Sequence, residues 1–262
     1  MKGSWLRRGA ATLILAMAAQ ARGQSPTPFA VDVSVFHQSL DNGYGAWDGA
    51  DVRLSYTSHD VSPFVGISTQ HRRDGDQQNV GVGSYITLDP HSYAIVGVSS
   101  APAGSAVFYP RLRWDASVFT DARVVPGLMI GVGYTQLSFG GGSTGSIASI
   151  GPVYYHGPLI LSGSLRLNHD GVGGANTASG EVGGQYGAQG KQWVGASVGT
   201  GHEAYEILAA TPLDVHFTNV GGAVFYQRWL TRRTAAMVRF DYEHKLTAYQ
   251  RRGITLSYRV EF

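Results

Sequence analysis

The last ten residues, "GITLSYRVEF" (Gly253 to Phe262), divide cleanly in steps of two. Ile254, Leu256, Tyr258, Val260 and Phe262 form one apolar face, and Thr255, Ser257, Arg259 and Glu261 form a polar one. A period of two marks a strand whose two faces meet different surroundings. Soluble domains tend to fray at their ends, yet here the final residue is an aromatic ring on the greasy face.

The same alternation recurs along the chain. Strand-like runs fall at about 29–39, 48–58, 63–72, 78–88, 92–100, 107–120, 128–139, 146–156, 159–168, 178–187, 192–201, 215–229, 234–244 and 250–262. No stretch keeps a helical period. The connections also alternate: tight turns such as "HDVS" (59–62), "DPH" (89–91) and "GP" (157–158) take turns with longer or glycine-rich loops such as "GGGSTGS" and "GHEAYEILAATPLD". Short turns at one end and longer loops at the other are the layout of an up-and-down membrane barrel. The fold class read from the sequence is therefore all-β: a closed, up-and-down antiparallel transmembrane β-barrel of about 14 strands, with 12 as the lower count.

Composition agrees. Cysteine is absent, which removes disulfides, thiolate metal sites and cysteine nucleophiles. Lys2, Arg7 and Arg8 precede the short apolar run "GAATLILAMAA", and "ARG" (21–23) ends in small residues at the positions a signal peptidase reads. Residues 1–23 are expected to be a cleaved secretory signal peptide, cut between Gly23 and Gln24, with the barrel in 24–262. That leader holds four of the 20 basic residues and none of the 18 acidic ones, so the net charge of +2 becomes slightly negative without it. No basic surface suited to nucleic acid remains.

A barrel in lipid must seal its sheet, because hydrocarbon offers no water to an open edge. The apolar residues of the last strand, Ile254, Leu256, Tyr258, Val260 and Phe262, are read as the insertion signal taken up by the outer-membrane barrel assembly machinery. The opposite face of each strand should line the lumen. This parity assigns Arg53, Arg111, Arg113, Asp115, Arg166, Arg239, Asp241, Glu243, Arg259 and Glu261 to the interior. They would either fill it as an ion-pair network or form a constriction for small polar or glycan solutes.

Other polar groups are candidate sites. His37 and Ser39 in "FHQS" share a face, the lipid side if Val31, Val33 and Val35 define it. A serine beside a histidine can be a nucleophile and its base, but no third group that would orient the imidazole can be placed from the sequence. His202, Glu203 and Glu206 lie close together in the longest loop, yet lack the second histidine of a zinc-protease helix. Arg72 and Arg73 in "RRDGDQQ" read as a solvated loop that could meet lipopolysaccharide phosphate. No cofactor is implied.

Three stretches, "VGVSSAPAGSAVFYPRLRWDASVF" (96–119), "PGLMIGVGYTQLSF" (126–139) and "IGPVYYHGPLILSGSLRLN" (150–168), resemble the YaiO family of outer-membrane β-barrel proteins. The resemblance implies a Gram-negative outer membrane, a barrel without established catalytic residues, and an association with surface polysaccharide. Its bilayer would carry lipopolysaccharide, and a glycan partner would follow from the polysaccharide association.

The primary reading is a non-enzymatic outer-membrane barrel acting as a narrow pore or an accessory in surface-glycan and small-solute traffic. The alternatives are a lipid-modifying hydrolase built on His37 and Ser39, and a structural or adhesive barrel with a blocked lumen. Deleting Phe262 is expected to cut accumulation in the outer-membrane fraction sharply. Fractionation followed by immunoblotting checks this, and undiminished accumulation refutes the insertion-signal reading.

Overall fold

The computed structural model describes residues 28–73, 75–101, 110–171, 176–203, 217–246 and 248–262. The expected leader and its cut at Gly23 and Gln24 lie outside them. Fourteen strands follow in chain order: β1 (Phe29–Leu40), β2 (Gly45–Tyr56), β3 (Val61–Arg72), β4 (Gly75–Asp89), β5 (Ser92–Ser100), β6 (Leu112–Asp121), β7 (Leu128–Ser138), β8 (Thr144–His156), β9 (Leu159–Asp170), β10 (Asn176–Ala188), β11 (Gln192–Glu203), β12 (Phe217–Trp229), β13 (Thr234–Lys245) and β14 (Tyr249–Glu261). Each pairs with its sequence neighbours, and β14 returns to β1 to close the barrel.

The seam is as fully paired as any other junction. β1 and β14 run antiparallel from Ala30 opposite Glu261 to Leu40 opposite Arg251. Beyond the strand ends, the Phe262 amide donates to the Phe29 carbonyl at 2.9 Å. At the opposite end, the Asp41 amide donates to the Gln250 carbonyl at 3.1 Å, and the Gln250 amide donates to the Asp41 carboxylate at 2.6 Å. Asn42 adds a side-chain bond to the Ala248 carbonyl at 2.7 Å. An unpaired backbone group in hydrocarbon costs several kcal/mol, so this closure is what permits the sheet to sit in lipid.

The period of two sorts the side chains. Val33, Val35, Val52, Leu54, Val182, Val198, Leu256 and many more large apolar residues are exposed on the outer surface. Tyr56, Tyr186, Tyr226 and Tyr258 stand outward near the short turns, and Trp114, Tyr134 and Tyr242 nearer the long loops. Aromatic girdles of this kind mark the two headgroup levels of a membrane barrel. By the same convention the short turns are periplasmic and the longer loops extracellular.

The strand ends differ from the sequence expectation at several points. β2 begins at Gly45, not near 48, so Trp47 is a wall residue and not part of a loop. β4 likewise begins at Gly75. β6 begins only at Leu112, because Pro110 has no amide to give to a ladder; residues 107–109 lie outside the described set.

Glycine supplies an internal packing rule. Phe36 lies opposite Gly49, Phe64 opposite Gly83, Phe119 opposite Gly131 and Phe225 opposite Gly195. In each case a Cβ on the glycine would collide with the ring of its partner. The four phenylalanines point into the lumen and lie flat across the bare backbone opposite, as aromatic rings do when they cover a strand glycine. Each ring therefore hugs the wall and stays off the axis.

Gly83→Ala is expected to dislodge Phe64 and lower stability by about 1–3 kcal/mol, read as a lowered urea midpoint of the refolded barrel. Gly97→Ala, whose added carbon would find only ordinary contact at 3.6 Å from the Val82 carbonyl, should leave the midpoint in place.

Candidate functional site

The inner wall is the candidate site, and strand register builds it. Asp32 of β1 stands between Arg259 of β14 and Arg53 of β2. Arg259 donates to Asp32 at 2.9 Å and to Glu261, two residues on along its own strand, at 3.0 Å. The same two-residue step joins Arg113 to Asp115 at 2.6 Å and Arg239 to Asp241 at 2.7 Å. Asp115 also accepts from the Thr135 hydroxyl at 2.7 Å. Across a strand gap, Arg166 reaches Glu181 at 3.0 Å. Residues two apart on a strand share a face, so three of these arginines are tethered along the wall and not across the lumen.

Register and burial put Arg53, Arg113, Asp115, Arg166, Arg239, Asp241, Glu243, Arg259 and Glu261 on this inner face. Arg111 is the correction. It sits in a bend just ahead of β6, exposed, with its carbonyl accepting from the Ser100 hydroxyl at 2.7 Å. The late start of β6 after Pro110 takes it off the wall. Arg72 is a second correction. It does not lie on the surface with Arg73; it is buried inside, its guanidinium 4.0 Å from the centre of the Trp47 ring. Arg73 is exposed and donates to the Gly43 carbonyl at 3.1 Å.

Several wall charges were not singled out from the sequence: Asp32, Glu181, Lys245 and Arg251 all lie on the inner face. Asp32 and Arg251 share the parity of assigned neighbours and were readable from it. Lys245 lay one residue past the expected strand end. Glu181 sits in "SGEVGGQ", where glycines blur the alternation.

The extracellular end of the lumen is packed on one side. Leu40, Trp47, Ala248 and Tyr249 form a buried cluster, with Tyr44 against it. The Tyr44 and Tyr249 rings meet edge-on at 5.2 Å between centroids. Arg251 lies 5.9 Å from the Trp47 ring centre and pairs with Glu243 at 2.6 Å. Lys245 stands 5.6 Å from the Tyr249 ring. Glu243 and Gln38 have 0% exposure. Further along the wall the lumen is looser. Asp115 keeps 32% of its side chain exposed and Asp32 28%, so water reaches both.

The outer face holds a different group. His37 and Ser39 both point away from the lumen, opposite Ile254 and Arg252 of β14. Asp48, directly across from His37 on β2, accepts from its Nδ1 at 2.7 Å. Sequence spacing could not have found Asp48, because only the hairpin register brings it beside His37. Of the loop residues His202, Glu203 and Glu206, Glu206 lies outside the described residues, as do the side chains of His202 and Glu203.

The family description "YaiO membrane beta barrel domain" matches residues 29–206. No curated protein matches the chain in sequence. Among solved structures, the CymD monoaromatic hydrocarbon channel superposes with a TM-score of 0.63 at 8% identity, covering 95% of this chain and 92% of its own. A bacterial polysaccharide outer membrane secretin superposes with a TM-score of 0.60 at 7% identity, covering 90% and 99%. Omp33, an outer membrane protein of Acinetobacter baumannii, gives 0.50 at 12% identity, covering 91% and 100%. At these identities the likeness is one of fold.

Glu243→Ala would leave the Arg251 guanidinium buried without its carboxylate. Breaking a buried pair on one side costs about 3–5 kcal/mol, so the urea midpoint should fall clearly, followed through the fluorescence of neighbouring Trp47. A midpoint matching wild type would show that the pair contributes nothing to the packed side of the mouth.

Proposed function

The chain belongs to the YaiO membrane β-barrel family, and we propose that it acts as a narrow pore, or as an accessory barrel in glycan and small-solute traffic, without chemistry in its lumen. It is an integral barrel of the bacterial outer membrane. The observation that carries the pore reading is how its inward side chains are held. Bulky rings lie over glycines, and arginines are tied to acids on the wall. Both devices keep long side chains from crossing the axis.

The paired charges favour a solute that exchanges hydrogen bonds over a strongly charged one, since Arg113, Arg166, Arg239, Arg251 and Arg259 each already have an acid beside them. The half-buried stacked rings of Tyr93 and Phe119, 4.8 Å apart between centroids, offer the wall a flat apolar element suited to one side of a sugar. The superposing barrels include a hydrocarbon channel and a polysaccharide secretin, two conduits of different cargo on one fold. A second reading, a structural barrel with a blocked lumen, draws on the packed cluster around Trp47 and Tyr249.

Planar bilayers distinguish the two. The refolded protein should conduct, and the double variant Arg113→Gln with Arg239→Gln should shift the reversal potential in a potassium chloride gradient towards cation selectivity. That shift follows from leaving Asp115 and Asp241 uncompensated in a low-dielectric wall. A barrel that folds fully but never conducts overturns the pore and favours the blocked reading.

A further inference from the structure

We propose that the outer surface of β1 and β2 carries a serine-esterase site for the acyl esters of outer-leaflet lipids, with Ser39 as nucleophile, His37 as base and Asp48 as the residue that positions the base. The site is independent of the lumen, since it lies on the opposite face of the same wall.

The geometry begins with the imidazole. His37 Nδ1 lies 2.7 Å from the Asp48 carboxylate. A carboxylate accepts there, so Nδ1 carries the proton and Nε2 is left as a base. Asp48 also faces His71 on β3, but His71 is taken by Asp76 of β4, which leaves Asp48 to His37. Ser39 is the next outward position along β1. Same-face neighbours on a strand are roughly 6.6 Å apart at Cα, a span that serine and imidazole rotamers can close. Arg252, the direct partner of Ser39 on β14, stands exposed on the same face. It places a cation where charge would develop on the carbonyl oxygen of a bound ester.

Two further observations separate this group from ordinary surface decoration. The first is that, among the described residues, three other histidines pair with aspartates on the surface, at His59–Asp60, His71–Asp76 and His91–Asp121. None of them has a serine in the corresponding place. The residues two positions on are Val61, Arg73 and Tyr93, and the hydroxyl of Thr69, two before His71, already donates to the Ala50 carbonyl. The second is depth. Phe29, Val31, Val33, Val35, His37 and Ser39 form the outward series of β1. At about 3.3 Å per residue and a tilt of about 40°, Ser39 stands roughly 25 Å above Phe29. That matches the height of the apolar band of such barrels and sets Ser39 where acyl chains join their headgroups. An acyl chain would then run down the wall over Val35, Ile254 and Val33.

The reaction balances without a cofactor. Ser39 Oγ attacks the ester carbonyl carbon and its proton passes to His37 Nε2. The tetrahedral adduct collapses, the ester C–O bond breaks, and the departing lipid alkoxide takes the proton from His37. Water, deprotonated by His37, then attacks the acyl-serine, and a fatty acid leaves while Ser39 regains its proton.

The test uses the full-length protein refolded into two sets of vesicles, one of phosphatidylethanolamine and one containing lipopolysaccharide. Fatty-acid release is measured by mass spectrometry, and Ser39 acylation by a fluorophosphonate label. Wild type should release fatty acid and take the label. Release from the first vesicles assigns a glycerophospholipid ester; release from the second alone assigns an ester of the lipopolysaccharide acyl chains. Ser39→Ala should abolish both signals, and His37→Asn should lower release by about 100- to 10,000-fold. Asp48→Asn should lower the rate and alter its pH profile, which a merely structural role would leave alone. Heat-modifiable migration and conductance of Ser39→Ala should match wild type, which shows that folding and the lumen are intact. No label and no fatty acid from either vesicle overturns the proposal, as does release that persists in Ser39→Ala.

Discussion

A backbone amide in hydrocarbon has no water to turn to, and the whole structure answers that constraint. A strand meets it only by pairing on both sides, so the sheet must return to its own first strand. The register from Ala30 opposite Glu261 to Leu40 opposite Arg251 is that return. The added bonds of Phe262, Asp41 and Asn42 hold the junction at both ends. Once the sheet closes, every second side chain faces lipid and every other one faces a confined interior, and the chemistry of the two faces separates.

Outside, the requirement is simple: apolar bulk with aromatic rims. Inside, size and charge must both be managed in a narrow space. The chain manages size by placing glycine opposite phenylalanine, at Phe36–Gly49, Phe64–Gly83, Phe119–Gly131 and Phe225–Gly195. It manages charge by setting an acid two residues after an arginine on the same strand, in "RWD", "RFD" and "RVE". The extracellular side of the wall that carries Trp47, Tyr249 and Arg251 is filled more tightly. These two devices and this packed corner are the opposing features on which the choice between pore and structural barrel turns.

β1 serves both faces at once. Asp32 and Phe36 look into the lumen, while His37 and Ser39 look out towards the lipid rim. Solute passage and ester chemistry would thus use different sides of one strand, and changes to one side need not disturb the other.

Much of the fold was legible in the sequence, because period two is a local property: alternation along "VRLSY", "RLRWDASVF" and "ITLSYRVEF" declares both strands and faces wherever polar and apolar residues differ strongly. The face of Arg113, Asp241 or Arg259 follows from that parity alone. It was less legible at Glu181, where small residues sit on both faces, and it misled at Arg111, where Pro110 delays the ladder. Closure into fourteen strands was inferable from the lack of any helical or cysteine-based alternative and from the absence of water in lipid. Only the tertiary structure could decide which residues meet across strands, because register depends on turn geometry that composition does not encode. That is why the phenylalanine–glycine pairs, the burial of Arg72 against Trp47 and the seat of Asp48 beside His37 emerge from the closed sheet, while the alternation that makes the sheet possible was already written in the chain.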